Sequence, residues 1–250
     1  MDTSFIKSFF LEKELDDFVV NLIFEEFQKP GLILLPSGNT FEKSIYPRVD
    51  ELFSQEEYNT FDSRVQDTKT HSKQNQVNKD LKLSHLDELI PTQITQGVHL
   101  FANAIKESLP NVMSQLSEDF YEIDIKDSQA FFDYLRLNAP RVMFMGLGSD
   151  PVHAHVAFIG EEFINTDISK ITLSEALQET HQAKHAITIG TDLFQSNSLE
   201  HIYVVAKGET KAESIQAALE DDTTGLGYLI ANHKDKLSVF ADNEALKLIS

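Results

Sequence analysis

The chain has 250 residues, a formal charge of −19, 41% hydrophobic residues and no cysteine. That apolar content suffices for a sizeable buried core, and the lack of cysteine excludes disulfides. The acidic balance argues against nucleic acid as a partner, because phosphate backbones are bound by fields of lysine and arginine. The start, Met1-Asp2-Thr3-Ser4, lacks the basic and apolar regions of a signal peptide. No apolar stretch approaches the roughly 20 residues needed to cross a bilayer. The expectation is therefore a cytoplasmic protein with no membrane contact.

In chain order, Phe9 to Gln28 carries apolar residues at Leu11, Leu15, Phe18, Val19, Leu22, Ile23 and Phe27. This is helical spacing. Gly31-Leu32-Ile33-Leu34-Leu35 follows, a short apolar run of the kind that forms a strand buried on both faces. After Pro36-Ser37-Gly38-Asn39-Thr40 a helix is predicted from Phe41. Further apolar runs occur at Val142–Met145, ending in Gly146-Leu147-Gly148, at Ala186–Gly190, and at His201–Ala206. Lys211–Leu219 reads as a helix, Leu237–Phe240 as a strand, and a last helix is predicted from Asp242. Arg64 to Lys82 is polar and has no clear period. Strands alternating with helices predict one α/β domain over 1–250, a doubly wound, mainly parallel sheet with helices on both faces.

In such sheets ligands bind beyond the carboxyl ends of the strands, which singles out four loops. The first, Leu35 to Thr40, offers glycine, hydroxyls and a helix start, the components of a phosphate site. An ordinary N-cap at Thr40 accounts for it about as well. The second, His85-Leu86-Asp87-Glu88-Leu89, holds two carboxylates. Asp87 is a candidate general base, but on the residues alone a cap for the helix after Pro91 is the favoured reading. The third, Gly146 to Phe158, brings Asp150, His153 and His155 together as candidate proton carriers. The i,i+2 histidines admit a metal site, but no third and fourth ligands are indicated. The fourth, Lys207-Gly208-Glu209-Thr210-Lys211, sets a lysine against its own helix start, an arrangement that a nearby anion would favour.

Taken in order, these segments resemble the glucosamine-6-phosphate deaminase and 6-phosphogluconolactonase superfamily over nearly the whole chain, from about Gly31. Leu35-Pro36-Ser37-Gly38-Asn39-Thr40 is similar to its phosphate loop L-P-(T/S)-G-x-T, and Leu86-Asp87-Glu88 to its M-D-E-Y motif. Gly146-Leu147-Gly148-Ser149-Asp150 with His155-Val156-Ala157-Phe158 resembles G-x-G-x-D-G-H-I-A-F. Ala186-Ile187-Thr188-Ile189-Gly190 resembles A-L-T-(V/M)-G, and Gly208-Glu209-Thr210-Lys211-Ala212 resembles G-x-x-K-A. The H-V-A-F and D-E-L strings favour the deaminase branch.

The resemblance implies isomerisation and deamination of a hexosamine 6-phosphate, of glucosamine or galactosamine type, without metal or organic cofactor. His155 would assist ring opening, and Asp87 would carry the C2 proton to C1. Ser37, Gly38, Asn39, Thr40 and Lys211 would hold the phosphate of this small phosphorylated sugar. The chain departs from the pattern in three places. Pro151-Val152-His153-Ala154 separates Asp150 from His155, so either Asp150 loops back or His153 takes the carboxylate's place. The family's glutamate after the histidine falls at Gly160, beside Glu161. No arginine follows Arg141, leaving Lys170 or Lys184 to replace the family's phosphate arginine. A lactonase-like hydrolase and a non-catalytic sugar-phosphate binding protein are the alternative readings. A homo-oligomer stays open.

Overall fold

The computed structural model describes residues 3–27, 29, 32–36, 38, 40–54, 109–111, 139–157, 168–173, 175, 178–179 and 184–249. The polar stretch from Arg64 to Lys82 and the loop carrying Asp87 lie outside them.

Strand β1 (Ile6–Phe9) leads into helix α1 (Glu12–Phe27) and strand β2 (Leu32–Leu34). A π-helical turn (Phe41–Ile45) runs directly into α2 (Tyr46–Ser54). Strand β3 (Pro140–Gly146) is followed by the pair β4 (Ile168–Thr172) and β5 (His185–Ile189). Strand β6 (His201–Ala206), a 3-10 turn (Glu209–Lys211), α3 (Ala212–Glu220), α4 (Gly225–His233), β7 (Leu237–Asp242) and α5 (Asn243–Leu246) complete the chain.

Five strands form one sheet in the order β1-β7-β6-β3-β2. Every neighbouring pair in it is parallel. The apolar runs are explained by two-sided burial, since alternate side chains enter different cores. Met143, Met145, Ile202 and Val204 pack with Ile215 and Ala218 of α3 and with Leu226 and Leu229 of α4. Val142, Phe144, Tyr203 and Val205 pack with Leu15, Val19 and Ile23 of α1 and with Val49 and Phe53 of α2. Helices thus cover both faces, as a doubly wound sheet requires.

Two features differ from the sequence expectation. Of the run Ala186–Gly190, grouped with the parallel strands, Ala186–Ile189 lie in β5 and pair antiparallel with β4 in a separate two-stranded sheet. The first helix begins at Glu12 rather than Phe9, because Ile6–Phe9 extends the main sheet along β7.

At the amino end of β3, Arg141 Nη1 lies 2.7 Å from Glu26 Oε2, and Lys29 Nζ lies 2.8 Å from Glu26 Oε1. Burial raises the Glu26 pKa, but hydrogen bonds and charge from Lys29 and Arg141 outweigh it and hold the group below its ordinary 4.5. A carboxyl depressed in the folded state contributes stability that is complete above its unfolded pKa and lost as pH falls through the folded value. Chemical denaturation is therefore expected to show this loss beginning below pH 4.5. Glu26→Gln should flatten that part of the profile.

Candidate active site

Because the five main strands are parallel, their carboxyl ends share one edge, and the loops leaving it stand in strand order. The loop after β2 comes first, then those after β3 and β6, and then the end of β7.

After β2 the chain turns at Gly38, whose φ of +125° favours glycine. The Gly38 N–H donates to Glu42 Oε1 at 2.7 Å, and the Gly38 carbonyl accepts from the Phe41 and Glu42 N–H groups. The π-helical turn has a local cause. Pro47 has no N–H to donate one turn back, and the Tyr46 N–H reaches Phe41 O instead. The buried Tyr46 hydroxyl donates to Pro36 O and pins the start of the loop. Thr40 is half-buried and makes no side-chain cap bond, so the N-cap reading of this residue does not hold. Its carbonyl accepts from Ser44 Oγ.

After β3 the loop folds back on itself. Leu147 and Val156 form an antiparallel bridge, and the Gly148 N–H donates to His155 O at 2.8 Å. The His155 ring lies directly over Gly148. A Cβ at that position would come within 2.3–2.5 Å of three ring atoms. Ala154, immediately before His155, has φ of +37°, and Ala157 has φ of +49°. A non-glycine residue in this region costs roughly 1–2 kcal/mol. The first turn of α4 offsets that strain, with the Gly225 N–H donating to His153 O at 2.7 Å and the Leu226 N–H to Ala154 O at 3.0 Å. Helix N–H groups that would otherwise need a cap thus clamp the segment presenting His155.

Within this loop Asp150 turns back on its own segment. Its Oδ1 accepts the Val152 N–H at 3.0 Å, and its Oδ2 lies 2.7 Å from His153 Nδ1. Burial raises the Asp150 pKa. The His153 hydrogen bond, the Val152 N–H and the charges of both imidazoles outweigh it, and the carboxyl sits below its usual range. Of the two arrangements the sequence left open, the contacts of Asp150 are those of a residue that loops back. The four residues between Asp150 and His155 return the carboxylate to the loop and place His153 beside it.

After β6, Lys207 and Lys211 have different fates. Lys207 Nζ lies 2.9 Å from Glu12 Oε1, 3.1 Å from Asp16 Oδ1 and 2.7 Å from Ser44 Oγ. Through Ser44 it ties this loop to the helix that follows the Gly38 turn. The ammonium of Lys211, at the start of α3, has no ion pair or hydrogen bond among the described residues, and burial lowers its pKa. A half-buried ammonium without a counter-ion suits an anionic ligand. Gly208, at φ of +84°, donates its N–H to both carboxylate oxygens of Asp242, at 3.1 and 3.0 Å.

The structure thus places Gly38, Thr40, Asp150, His153, His155 and Lys211 on three adjacent loops. Ser37, Asn39, Asp87 and Glu161 lie outside the described residues. So does the Lys170 side chain, while Lys184 is exposed just before β5. Among the described residues no three His, Asp or Glu side chains gather as a metal cage. No described helix is long and apolar enough to cross a membrane. Sequence reasoning missed the clamp from α4 and the Asp242 tie. The polar run Asp221-Asp222-Thr223-Thr224 was the available signal, since Thr224 caps α4 by accepting the Gly227 N–H.

An open, mainly parallel α/β sheet with its candidate loops along the carboxyl edge is the class defined here. No family model matches the chain, and no curated protein matches it in sequence. Its fold is one that solved structures of other proteins share. It is similar to a monomeric glucosamine-6-phosphate deaminase of the NagB superfamily, with 16% identity, a TM-score of 0.61 and coverage of 97% of this chain and 99% of that one. It is similar also to the 6-phosphogluconolactonase of Thermotoga maritima, with 14% identity, a TM-score of 0.59 and coverage of 95% and 99%. The Leishmania guyanensis 6-phosphogluconolactonase gives 15%, 0.56 and 98% of both chains.

Proposed function

We propose that the chain is a divergent member of this superfamily that acts on a phosphorylated sugar at the carboxyl edge, as an aldose–ketose isomerase and deaminase of a hexosamine 6-phosphate. The observation that carries the reading is the pairing of two neighbouring loops. An imidazole is fixed over Gly148 after β3, and a half-buried lysine with no counter-ion among the described residues stands on the loop after the adjoining β6. Lys211 and the Gly38 turn take the phosphate, with Thr40, Ser37 and Asn39 contributing. His155 moves the ring-oxygen proton, and Asp87 carries the C2 proton to C1. His153, oriented by Asp150, assists proton movement near the ring. Glu161 takes the family glutamate's role. These steps are acid–base chemistry on a substrate held by its phosphate.

The similarity to lactonases supports a second reading, in which one of these imidazoles activates water against a sugar lactone phosphate. One pair of assays separates the two. Incubation with glucosamine 6-phosphate in deuterium oxide should exchange the C2 proton, and Asp87→Asn should abolish exchange while leaving binding intact. Hydrolysis of 6-phosphogluconolactone without C2 exchange would establish the lactonase reading instead.

The Glu42 contact adds a prediction. A phosphate seated on the Gly38 N–H must displace the carboxylate 2.7 Å away. Glu42→Gln keeps an acceptor for that N–H and removes the charge. Binding of glucosamine 6-phosphate, measured by calorimetry, is expected to tighten about fivefold when one negative charge leaves a helix start. Unchanged affinity would place the phosphate away from this turn.

A further inference from the structure

We propose that Asp242 is a positioning residue for Lys211, acting through the backbone of Gly208. The proposal rests on the phosphate reading given above and adds to it the group that sets the cation in place.

Asp242 ends β7, and its carboxylate is buried, with the residue 3% exposed. Among the described residues, the hydrogen bonds of this carboxylate are all to backbone N–H groups. It accepts the Ala245 N–H at 2.8 Å, which caps α5, and the Gly208 N–H at 3.1 and 3.0 Å. Capping a four-residue helix explains the first contact and not the second. The second crosses from β7 to the loop after β6, three residues before Lys211. Gly208 has φ of +84° with ψ of 162°, a conformation open essentially to glycine alone, and because glycine is free to leave it the contact with Asp242 selects it. From Gly208 the backbone closes at once, with the Lys211 N–H donating to Gly208 O at 3.1 Å. Fixing the Gly208 amide therefore fixes the turn whose last residue is Lys211.

A second contact acts in the same direction. The Lys247 ammonium pairs with the Glu209 carboxylate, joining the residue after α5 to the same turn. That pair is exposed and worth little on its own. The buried tie to Asp242 is the one expected to set the geometry. Among the described residues no counter-ion compensates Lys211 for leaving water, so an anionic ligand is the partner that would. The lysine stays in that position only if its backbone leaves it no easier one.

The capping and positioning roles can be separated by substitution. Serine is a good N-cap but is too short to hold both Ala245 and Gly208. Asp242→Ser should therefore preserve α5 and release the turn. Glucosamine 6-phosphate is titrated by calorimetry into the full chain and into the Asp242→Ser, Lys211→Met and double variants, with melting temperature followed in parallel. Losing a charge-assisted hydrogen bond that orients the cation is expected to weaken binding about tenfold in Asp242→Ser. In the Lys211→Met background the same substitution should cost nothing further, because its effect passes through the lysine. Gly208→Ala, which disturbs the turn independently, should weaken binding in the same way. A full additional loss in the double variant would show that Asp242 acts elsewhere and would overturn the proposal. Wild-type affinity in Asp242→Ser, with weakened binding in Lys211→Met, would overturn it and leave the phosphate reading standing. Unaltered binding in Lys211→Met would remove the phosphate reading and this role with it.

Discussion

Gly148→Ala is expected to lower turnover of glucosamine 6-phosphate by about a hundredfold, the cost of moving a catalytic group by about 1 Å. The reason is steric and local. A methyl group at residue 148 would stand 2.3–2.5 Å from the Cε1, Nδ1 and Nε2 atoms of His155, so the imidazole must leave its seat. The ring cannot be carried aside by a small backbone adjustment. The His155 carbonyl is held by the Gly148 N–H, and the preceding residues are held by the first turn of α4. The fold should tolerate the change better than the chemistry does, since residue 148 is not in a strand and the displaced group is a side chain. Steady-state kinetics alongside a melting curve checks this. A fall in turnover with little change in melting temperature supports a functional seat for His155. Unimpaired turnover would mean that this imidazole does not take part.

The second large effect concerns stability. A Cβ at Gly227 would meet Asp221 O at 2.0 Å, Thr224 Oγ1 at 2.6 Å and Ala218 O at 3.0 Å. Two of those atoms belong to the backbone, so relief requires α3 and α4 to separate. Overpacking of this kind costs about 3 kcal/mol, which for a chain of this size lowers the melting temperature by about 10 °C. The same substitution disturbs the Thr224 cap and, through it, the Gly225 and Leu226 donors that hold the histidine loop. Gly227→Ala should therefore lose catalytic rate as well as stability, unlike Gly148→Ala. Measuring both properties in both variants tells the seat of the ring from the clamp of the loop.

Much of the main sheet was legible because two-sided burial leaves continuous apolar runs. His201–Ala206 was read with the bounds the structure has, the runs at Val142–Met145 and Leu237–Phe240 fall within strands of the parallel sheet, and Leu32–Leu34 of the run Gly31–Leu35 form another. Strand β1 was not legible, since Lys7 and Ser8 are exposed and only an edge pairing with β7 makes Ile6–Phe9 a strand. An apolar run also carries no direction, which is why Ala186–Gly190 was grouped with the parallel strands while it pairs antiparallel with β4. Helix α4 was missed because Gly225-Leu226-Gly227 at its start is poor in helix formers. The site shows the same division. Glycines after an apolar run pointed to the His155 loop, whereas the hydrogen bonds donated by Gly225 and Leu226 and those accepted by Asp242 join segments remote in sequence and leave no pattern along it.

The account rests on one edge of the sheet receiving a sugar phosphate between the loops after β2, β3 and β6. Backbone amide NMR during titration with glucosamine 6-phosphate tests this most directly. The resonances of Gly38, Gly148, Gly208 and Lys211 should shift together and saturate with a single affinity, while Thr172 of β4 stays still. Saturable shifts confined to other parts of the chain, or none at all, would contradict it.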